Sequence, residues 1–338
     1  MQASIVDIVI ANYNGAHTLA PTIKSILNQS YPHFKLTVLD NVSTDNSFEV
    51  VNQFEDPRVE FVACEKHLPM ASNWSRAAKF AQSEYVAVIH ADDVWRKDFL
   101  MRMLTNLQND LEAKAVICDA EFIDGQGHHF DIPYYNKGNR QLRRSMTADN
   151  LNDLLIQMYV RPCAWLARRK LFDIHEFSND FYYASDWEFW LRVFSDCKVL
   201  NEPDVLCDYR IHKLSRTFSE KQIMLRLDEE LTIVTSAINR SKDRFSERVQ
   251  EKAYRRIDER HIKCVIDLFC AGRIKLAFRK LRQGFRIRGV RRSFIGLSAL
   301  ITERKGIYYL YSGVVRKFFP GPTDASVDLR NNRVYHQS

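Results

Sequence analysis

Long apolar runs are missing from this 338-residue chain. No stretch of about 18 uncharged apolar residues occurs, so no transmembrane helix is expected. The seven cysteines, Cys64, Cys118, Cys163, Cys197, Cys207, Cys264 and Cys270, are scattered, odd in number and without C-x-x-C spacing. That argues against a disulfide framework or a structural zinc, and for a reducing cytoplasm. The opening Met-Gln-Ala-Ser-Ile-Val-Asp has no basic stretch and meets Asp7 early, so no signal peptide is expected. No G-x-G-x-x-G follows the first apolar run, where Asn12-Tyr13-Asn14-Gly15 stands instead, and dinucleotide binding is poorly supported. Internal repeats and low-complexity tracts are also lacking. Acids are nearly absent from one window: residues 271–320 hold thirteen Lys or Arg against Glu303 alone, a net of +12. With +7 for the whole chain, the remainder sums to −5. The basic character thus belongs to one C-terminal segment, which points to an anionic surface as partner.

What is present is an ordinary globular composition, 46% hydrophobic and 27% charged. The first 120 residues alternate between strand-like runs (Asp7–Ala11, Leu36–Asp40, Val59–Ala63, Tyr85–His90, Ala115–Asp119) and helical patterns (Thr18–Gln29, Ser47–Phe54, Met70–Gln82, Lys97–Asn109). Such alternation predicts an α/β fold with a mostly parallel, doubly wound sheet. Pro21 is expected in the first turn of its helix, where it costs little. After an irregular segment, 125–150, the spacing predicts a helix over Leu151–Met158, a strand over Ala164–Ala167 and a helix over Asp186–Phe194. Beyond Ser219 the pattern is almost wholly helical. In 273–287, Ile274, Phe278, Leu281 and Phe285 fall on one face among Lys275, Arg279, Arg282 and Arg286.

Carboxylates at strand ends carry the chemistry. Asp92 and Asp93 directly follow the apolar run Tyr85–Ile89. Adjacent carboxylates repel each other, and a hard divalent cation such as Mg2+ relieves that repulsion while leaving room for substrate phosphates. Asp40 ends the second strand on the same sheet edge, where open α/β sheets bind ligands. Ser47 is a candidate helix cap after it, and Asp186 opens an aromatic helix, where capping is the simplest role for an acid.

In combination these segments become recognisable. Asn12-Tyr13-Asn14-Gly15, then Ser25-Ile26-Leu27-Asn28-Gln29-Ser30-Tyr31-Pro32, resembles the opening of a family 2 glycosyltransferase of the GT-A fold. Leu39-Asp40-Asn41-Val42-Ser43-Thr44-Asp45, Ala91-Asp92-Asp93 and Ser185-Asp186-Trp187-Glu188-Phe189-Trp190-Leu191-Arg192 fall in that family's order and spacing. Tyr209-Arg210-Ile211-His212 resembles its late motif. The resemblance covers residues 4–220. It implies a nucleotide-diphospho-sugar transferase fold, with a mostly parallel Rossmann-like sheet flanked by helices and a helical C-terminal region. It also implies a nucleotide-sugar donor (a UDP-sugar first), Mn2+ or Mg2+, and inversion at the anomeric carbon. By the same resemblance Asp186 is the base, and Asp92 and Asp93 hold the metal and the donor phosphate or ribose. Tyr13 and Asp40 line the nucleobase and ribose pocket with Asn41 adjacent, and His212 contacts metal or pyrophosphate. The other histidines, without motif support, are expected on surfaces or loops. Four departures stand out: His90 where many members carry Asp, Ser185 where an acid is common, and Val42 and Ala77 in place of usual glycines.

The expected organisation is a catalytic domain, 1–220, and a basic, mainly helical region, 221–338. Basic amphipathic helices there, 293–319 included, predict contact with an anionic membrane surface, with packing on the catalytic domain or an oligomer contact as the alternative. Together with the family, this points to a lipid-linked glycan acceptor, as in lipopolysaccharide, O-antigen or capsular polysaccharide synthesis, at the inner face of the cytoplasmic membrane. The segments 125–150 and Arg161–Trp165 are expected to choose the acceptor. Two other classes compete. One is a catalytically degenerate scaffold of the same fold or another nucleotide-binding enzyme such as a nucleotidyltransferase. The other is a nucleic-acid binder, with Phe278, Phe285, Tyr308, Tyr309 and Tyr311 for stacking; the acidic site repels phosphate without a metal, so no nucleic acid is expected.

Overall fold

A computed structural model of the chain describes residues 4–130, 150–212 and 220–287, together with the backbone of two short paired strands, Ala325–Asp328 and Arg333–His336. Most of the 125–150 segment, the 293–319 segment and Tyr308, Tyr309 and Tyr311 lie outside the described residues.

The five apolar runs form β1 (Val6–Asn12), β2 (Phe34–Asp40), β3 (Val59–Ala63), β4 (Tyr85–His90) and, beyond the two-residue β5 (Val94–Trp95), β6 (Ala115–Ile123). Short β7 (His129–Phe130), β8 (Trp165–Arg168) and β9 (Val199–Arg210) complete a sheet in the order β3-β2-β1-β4-β8-β6-β9-β5, with β7 on β6. The β3-β2-β1-β4 half is parallel; β8 runs antiparallel to both neighbours, β9 runs parallel to β6, and β5 runs antiparallel to β9. Asn12 pairs with Asp40 and Ala11 with His90, so the carboxyl ends of β1, β2 and β4 lie level.

Alternate strand residues face two cores, as the period of two demands. Ile8, Ile10, Leu36, Val38, Ala87 and Ile89 pack under α1 (Ala16–Leu27) and α4 (Phe99–Asn109), with the one-turn α2 (Ser47–Val51) adding Val51. Val9, Leu39, Val86, Val88 and Ile117 pack under α3 (Met70–Phe80), α5 (Asn150–Ile156) and α6 (Ser185–Asp196). That second core continues without a break into α7 (Glu220–Arg240) and α8 (Glu247–Cys270), through Leu227, Ile233, Val234, Ala253 and Ile257. A further helix covers 274–287. Phe189 stacks on Phe177 at 4.0 Å and edges Trp190 at 5.2 Å, anchoring α6. Both side chains are at most 1% exposed, and each such burial is worth roughly 2–3 kcal/mol.

Local expectations need three corrections. α1 starts at Ala16, so Pro21 falls in the second turn and withholds the helical hydrogen bond from the His17 carbonyl. Ser47 is inside α2 rather than capping it; Asn46 is the cap residue, and Ser47 N–H and Oγ both donate to Asp45 Oδ1. Asp186 is likewise not a cap, since Ala184 holds that position and Ser185 begins α6.

Val42 adopts φ 65°, the left-handed region in which a β-branched residue is strained by roughly 1–2 kcal/mol. Its side chain is 41% exposed and earns little in return. Val42→Gly is therefore expected to stabilise the fold by about 1 kcal/mol after the added chain entropy of glycine, a rise of about 2 °C in melting temperature. A lower melting temperature would contradict the strain.

Candidate active site

The site is built on the level carboxyl ends of β1, β2 and β4. Gly15, between β1 and α1, permits the closest approach: a Cβ there would meet Asn12 Oδ1 at 2.4 Å and Ala91 Cβ at 2.7 Å. Asp40, 5% exposed, is engaged on both oxygens. Oδ1 accepts from Asn12 Nδ2 at 2.7 Å and Ser43 Oγ at 2.5 Å, and Oδ2 accepts from Ser43 N–H at 2.8 Å. Asn41 donates through Nδ2 to the Leu68 carbonyl and accepts from Leu68 N–H, both at 2.9 Å, and Arg76 Nη2 donates to its Oδ1 at 2.7 Å. Asp40 and Asn41 thus hold the turns 41–45 and 64–69 beside the end of β2. Tyr13, 52% exposed, stands at the mouth with its ring edge-on to His67 at 4.8 Å.

At the end of β4, Asp93 is fully buried. Its Oδ1 accepts the Arg210 N–H at 2.9 Å, its Oδ2 has no hydrogen-bond partner, and its carbonyl accepts Thr22 Oγ1 at 2.8 Å. Burial, then repulsion from Asp92, pushes the Asp93 carboxyl well above the usual range, against the Arg210 N–H. Burial would also raise Asp92, but the His212 hydrogen bond and the imidazoles of His90 and His212 outweigh it and hold this carboxyl low. His212 Nε2 lies 3.1 Å from Asp92 Oδ2, and its ring meets His17 edge-on at 5.2 Å. The His90 ring stacks on Trp74 at 4.8 Å, and burial, partly offset by Asp92, favours its neutral form.

His90, Asp92 and Asp93 each offer a ligand atom, all within 4.8 Å of one another. An orphaned buried carboxylate oxygen inside such a set fits a divalent cation. Glu121, His129 and Asp208 also come within 4.8 Å of one another. There, however, Arg96 Nη2 already neutralises the acids, at 2.7 Å from Glu121 Oε2 and 2.8 Å from Asp208 Oδ1.

Asp186 is half-buried in the first turn of α6 and accepts the Trp187 N–H at 2.8 Å. Burial raises its carboxyl to about 6, opposed by that N–H and by the charge of Arg161. The Arg161 guanidinium, whose charge acts on Asp186, also lies over the rings of Phe122 at 5.2 Å and Tyr209 at 6.0 Å.

Asp92 and His212 thus come together beside Asp93, with Asp40 at the end of β2 and Asn41 and Tyr13 just past the ends of β2 and β1; Asp186 lies in the first turn of α6, where the charge of Arg161 acts on it. Arg210, the second residue of the late motif, is turned inward. It is 5% exposed, and its Nε and Nη1 donate to the carbonyls of Asp92 and Asp124 at 2.7 and 2.8 Å. His17, in the first turn of α1, and His67, in a loop, are both exposed, as expected for histidines without a motif, and their rings lie edge-on to those of His212 and Tyr13.

The profile of glycosyl transferase family 2 matches residues 7–174. The UDP-Glc:alpha-D-GlcNAc-diphosphoundecaprenol beta-1,3-glucosyltransferase WfgD of Escherichia coli is 31% identical over 219 residues, 64% of this chain and 80% of WfgD. A Bacillus subtilis (strain 168) protein named as a candidate teichuronic acid biosynthesis glycosyltransferase, TuaG, is 33% identical over 102 residues, 30% of this chain and 40% of its own length. Among solved structures, mannosyltransferase PcManGT from Pyrobaculum calidifontis, in complex with GDP-Man and Mn2+, superposes with a TM-score of 0.56 at 17% identity, covering 93% of this chain and 86% of that one. S. aureus TarS 1–349 in complex with UDP-GlcNAc gives a TM-score of 0.54 at 14% identity, covering 99% and 97%.

Proposed function

Because the chain belongs to glycosyl transferase family 2 and has the GT-A fold, we propose that it moves a sugar from a nucleoside-diphosphate sugar, a UDP-sugar first, to a hydroxyl of a lipid-linked glycan, inverting the anomeric carbon. One observation carries this reading: the buried, unpartnered Asp93 Oδ2 beside Asp92 and His90, level with the β1 and β2 ends. Asp186 takes the proton of the acceptor hydroxyl as its oxygen bonds to the anomeric carbon, while the bond to the β-phosphate oxygen breaks on the opposite face. A carboxyl near 6 is well matched to that task, since it is ionised at neutral pH yet basic enough to accept a proton. His90, Asp92 and Asp93 would hold Mn2+ or Mg2+, which when bound supplies positive charge to the departing diphosphate. His90 brings a nitrogen ligand to the set and so favours Mn2+ over the strictly oxygen-loving Mg2+. Tyr13 and His67 flank the nucleobase, and His212 and His17 lie toward the pyrophosphate. Support for a UDP donor and a lipid-linked acceptor comes from WfgD, whose name states both.

The test is binding and hydrolysis across UDP-, GDP- and TDP-sugars with Mn2+, Mg2+ or EDTA. Metal-dependent binding of one donor is the expected outcome. No binding with any metal would leave a degenerate scaffold of the same fold.

Membrane contact through the C-terminal region belongs to the same proposal. Among the described residues no helix is long and apolar enough to cross a membrane. On 274–287, Ile274, Phe278 and Phe285 are 54%, 59% and 38% exposed beside Lys275, Arg279, Arg282 and Arg286. Each basic residue adds about 1 kcal/mol near an anionic bilayer at low salt. Vesicles rich in anionic lipid should therefore retain the protein at low salt and release it at high salt in a sedimentation assay. Equal retention by neutral vesicles would remove the electrostatic part.

A further inference from the structure

Helix α6 has no side-chain cap of its own, because its N-cap residue is Ala184. Helix starts leave N–H groups that need acceptors, and the chain entering this one has the same need. The acceptor comes from another part of the chain. Glu229, within α7 and 8% exposed, accepts the Tyr182 N–H at 2.9 Å through Oε1. Its Oε2 accepts the Tyr183 and Ala184 N–H groups at 2.7 and 3.0 Å. One carboxylate therefore fixes three consecutive peptide units just before Ser185 and Asp186. Two cations of α7 clamp the same stretch, Lys221 Nζ at 3.9 Å over the Tyr182 ring and the Arg226 guanidinium at 4.7 Å over the Tyr183 ring. On the far side of Asp186, Trp187 Nε1 donates to the Leu154 carbonyl at 2.7 Å, and the Arg260 guanidinium of α8 lies 5.3 Å from its ring.

From this we infer that Glu229 is a positioning residue for Asp186, so that α7 completes the active site from beyond residue 220. The inference rests on the proposed role of Asp186 as base. Hydrogen bonds to an ionised acceptor are short and directional, and three of them leave the entry to α6 little freedom. A catalytic group displaced by about 1 Å can lose on the order of 10²-fold in rate without any change in donor binding. Among the described residues, the hydrogen bonds of Glu229 go to Tyr182, Tyr183 and Ala184 and not to β1, β2 or β4, where the donor is proposed to bind.

The experiment uses the full chain with Glu229→Gln, which keeps the side chain's shape and one acceptor oxygen but turns an amide NH₂ toward the backbone donors. Amide hydrogen exchange is read on the same preparation as turnover, and the folded fraction is measured by calorimetry. Exchange across 182–187 should rise about tenfold or more while β1 and β4 stay protected. Turnover per folded molecule should fall on the order of 10²-fold with donor KM within about twofold of wild type. Glu229→Asp restores a carboxylate and should recover part of that turnover; it also serves as the test variant if the Gln chain does not fold. Unchanged exchange, or a loss of turnover matched by the loss of folded molecules, overturns the inference. Asp186→Asn in the same assay separates the two ideas. If that variant stays active, the base assignment fails; if it is inactive while Glu229→Gln turns over normally, the positioning role fails.

Discussion

Asp186→Asn is expected to lower turnover by about 10³-fold and, at pH 8, to make the protein more stable. The two effects share one cause. Burial raises the carboxyl to about 6, so the folded chain holds its proton more tightly than the unfolded one. A raised carboxyl contributes stability that is fully present below the unfolded value near 4 and is lost as pH climbs through about 6. At pH 8 the wild type therefore carries the full cost of an ionised, half-buried group. Two units correspond to roughly 2.7 kcal/mol, and water reaching a half-buried group reduces this to about 1–2 kcal/mol. Asn removes the charge and the cost, a trade of stability for activity that is common at catalytic positions. Melting curves should separate at pH 8 and converge near pH 4. Turnover of the wild type should decline below about pH 6, because the base must be ionised to accept a proton. A variant that retains turnover within tenfold, or a wild-type profile flat to pH 5, would remove Asp186 from the role of base.

Asp93→Asn is expected to weaken Mn2+ binding by at least about 10²-fold, since changes merely adjacent to metal ligands already cost 10- to 100-fold. The substitution isolates charge from shape. The amide oxygen can still accept the Arg210 N–H that Oδ1 accepts now at 2.9 Å, so the junction with β9 should survive and the melting temperature should change little. What disappears is the second carboxyl oxygen, Oδ2, which is buried and makes no close hydrogen bond. Titration calorimetry with Mn2+ alone reads this without a donor. In parallel, His90→Asp should narrow the preference for Mn2+ over Mg2+ by returning the set to oxygen ligands. Mn2+ affinity equal to wild type in Asp93→Asn would exclude this carboxylate from the metal set.

The half of the sheet that carries the proposed donor site was legible in the chain because parallel strands with buried faces read as unbroken apolar runs. β1, β2, β3 and β4 lie within a residue or two of their expected positions. β9 was not legible. Its positions include Asn201, Glu202, Pro203, Asp204 and Asp208, and the register slips between Cys118 and Ala120 of its partner β6. The acids are satisfied from α4 and its entry, Glu202 by Arg102 and Asp208 by Arg96, both at 2.8 Å. Ion pairing there replaces the apolar alternation by which a strand is recognised. Asp92, Asp93, His212 and Asp186 could be named from the chain because they sit in recognisable segments. Glu229 could not, since a glutamate in a polar helix carries no sign that three backbone donors wait for it 45 to 47 residues upstream.

The bond between Asp93 and Arg210 spans 117 residues, and that separation sets a timetable. A ribosome adding about 5–20 residues per second needs roughly 6–23 s between making the carboxylate and making its partner. Throughout that interval β1 to β4 can assemble, whereas Asp93 lacks its Arg210 partner, and the acids at the end of β4 stay open to water. The helix carrying Glu229 arrives later still. The parts proposed for donor binding and for proton transfer are in this sense completed one after the other as the chain is born, and a nascent protein stalled near residue 200 would have the strands without the contacts that hold those parts in place.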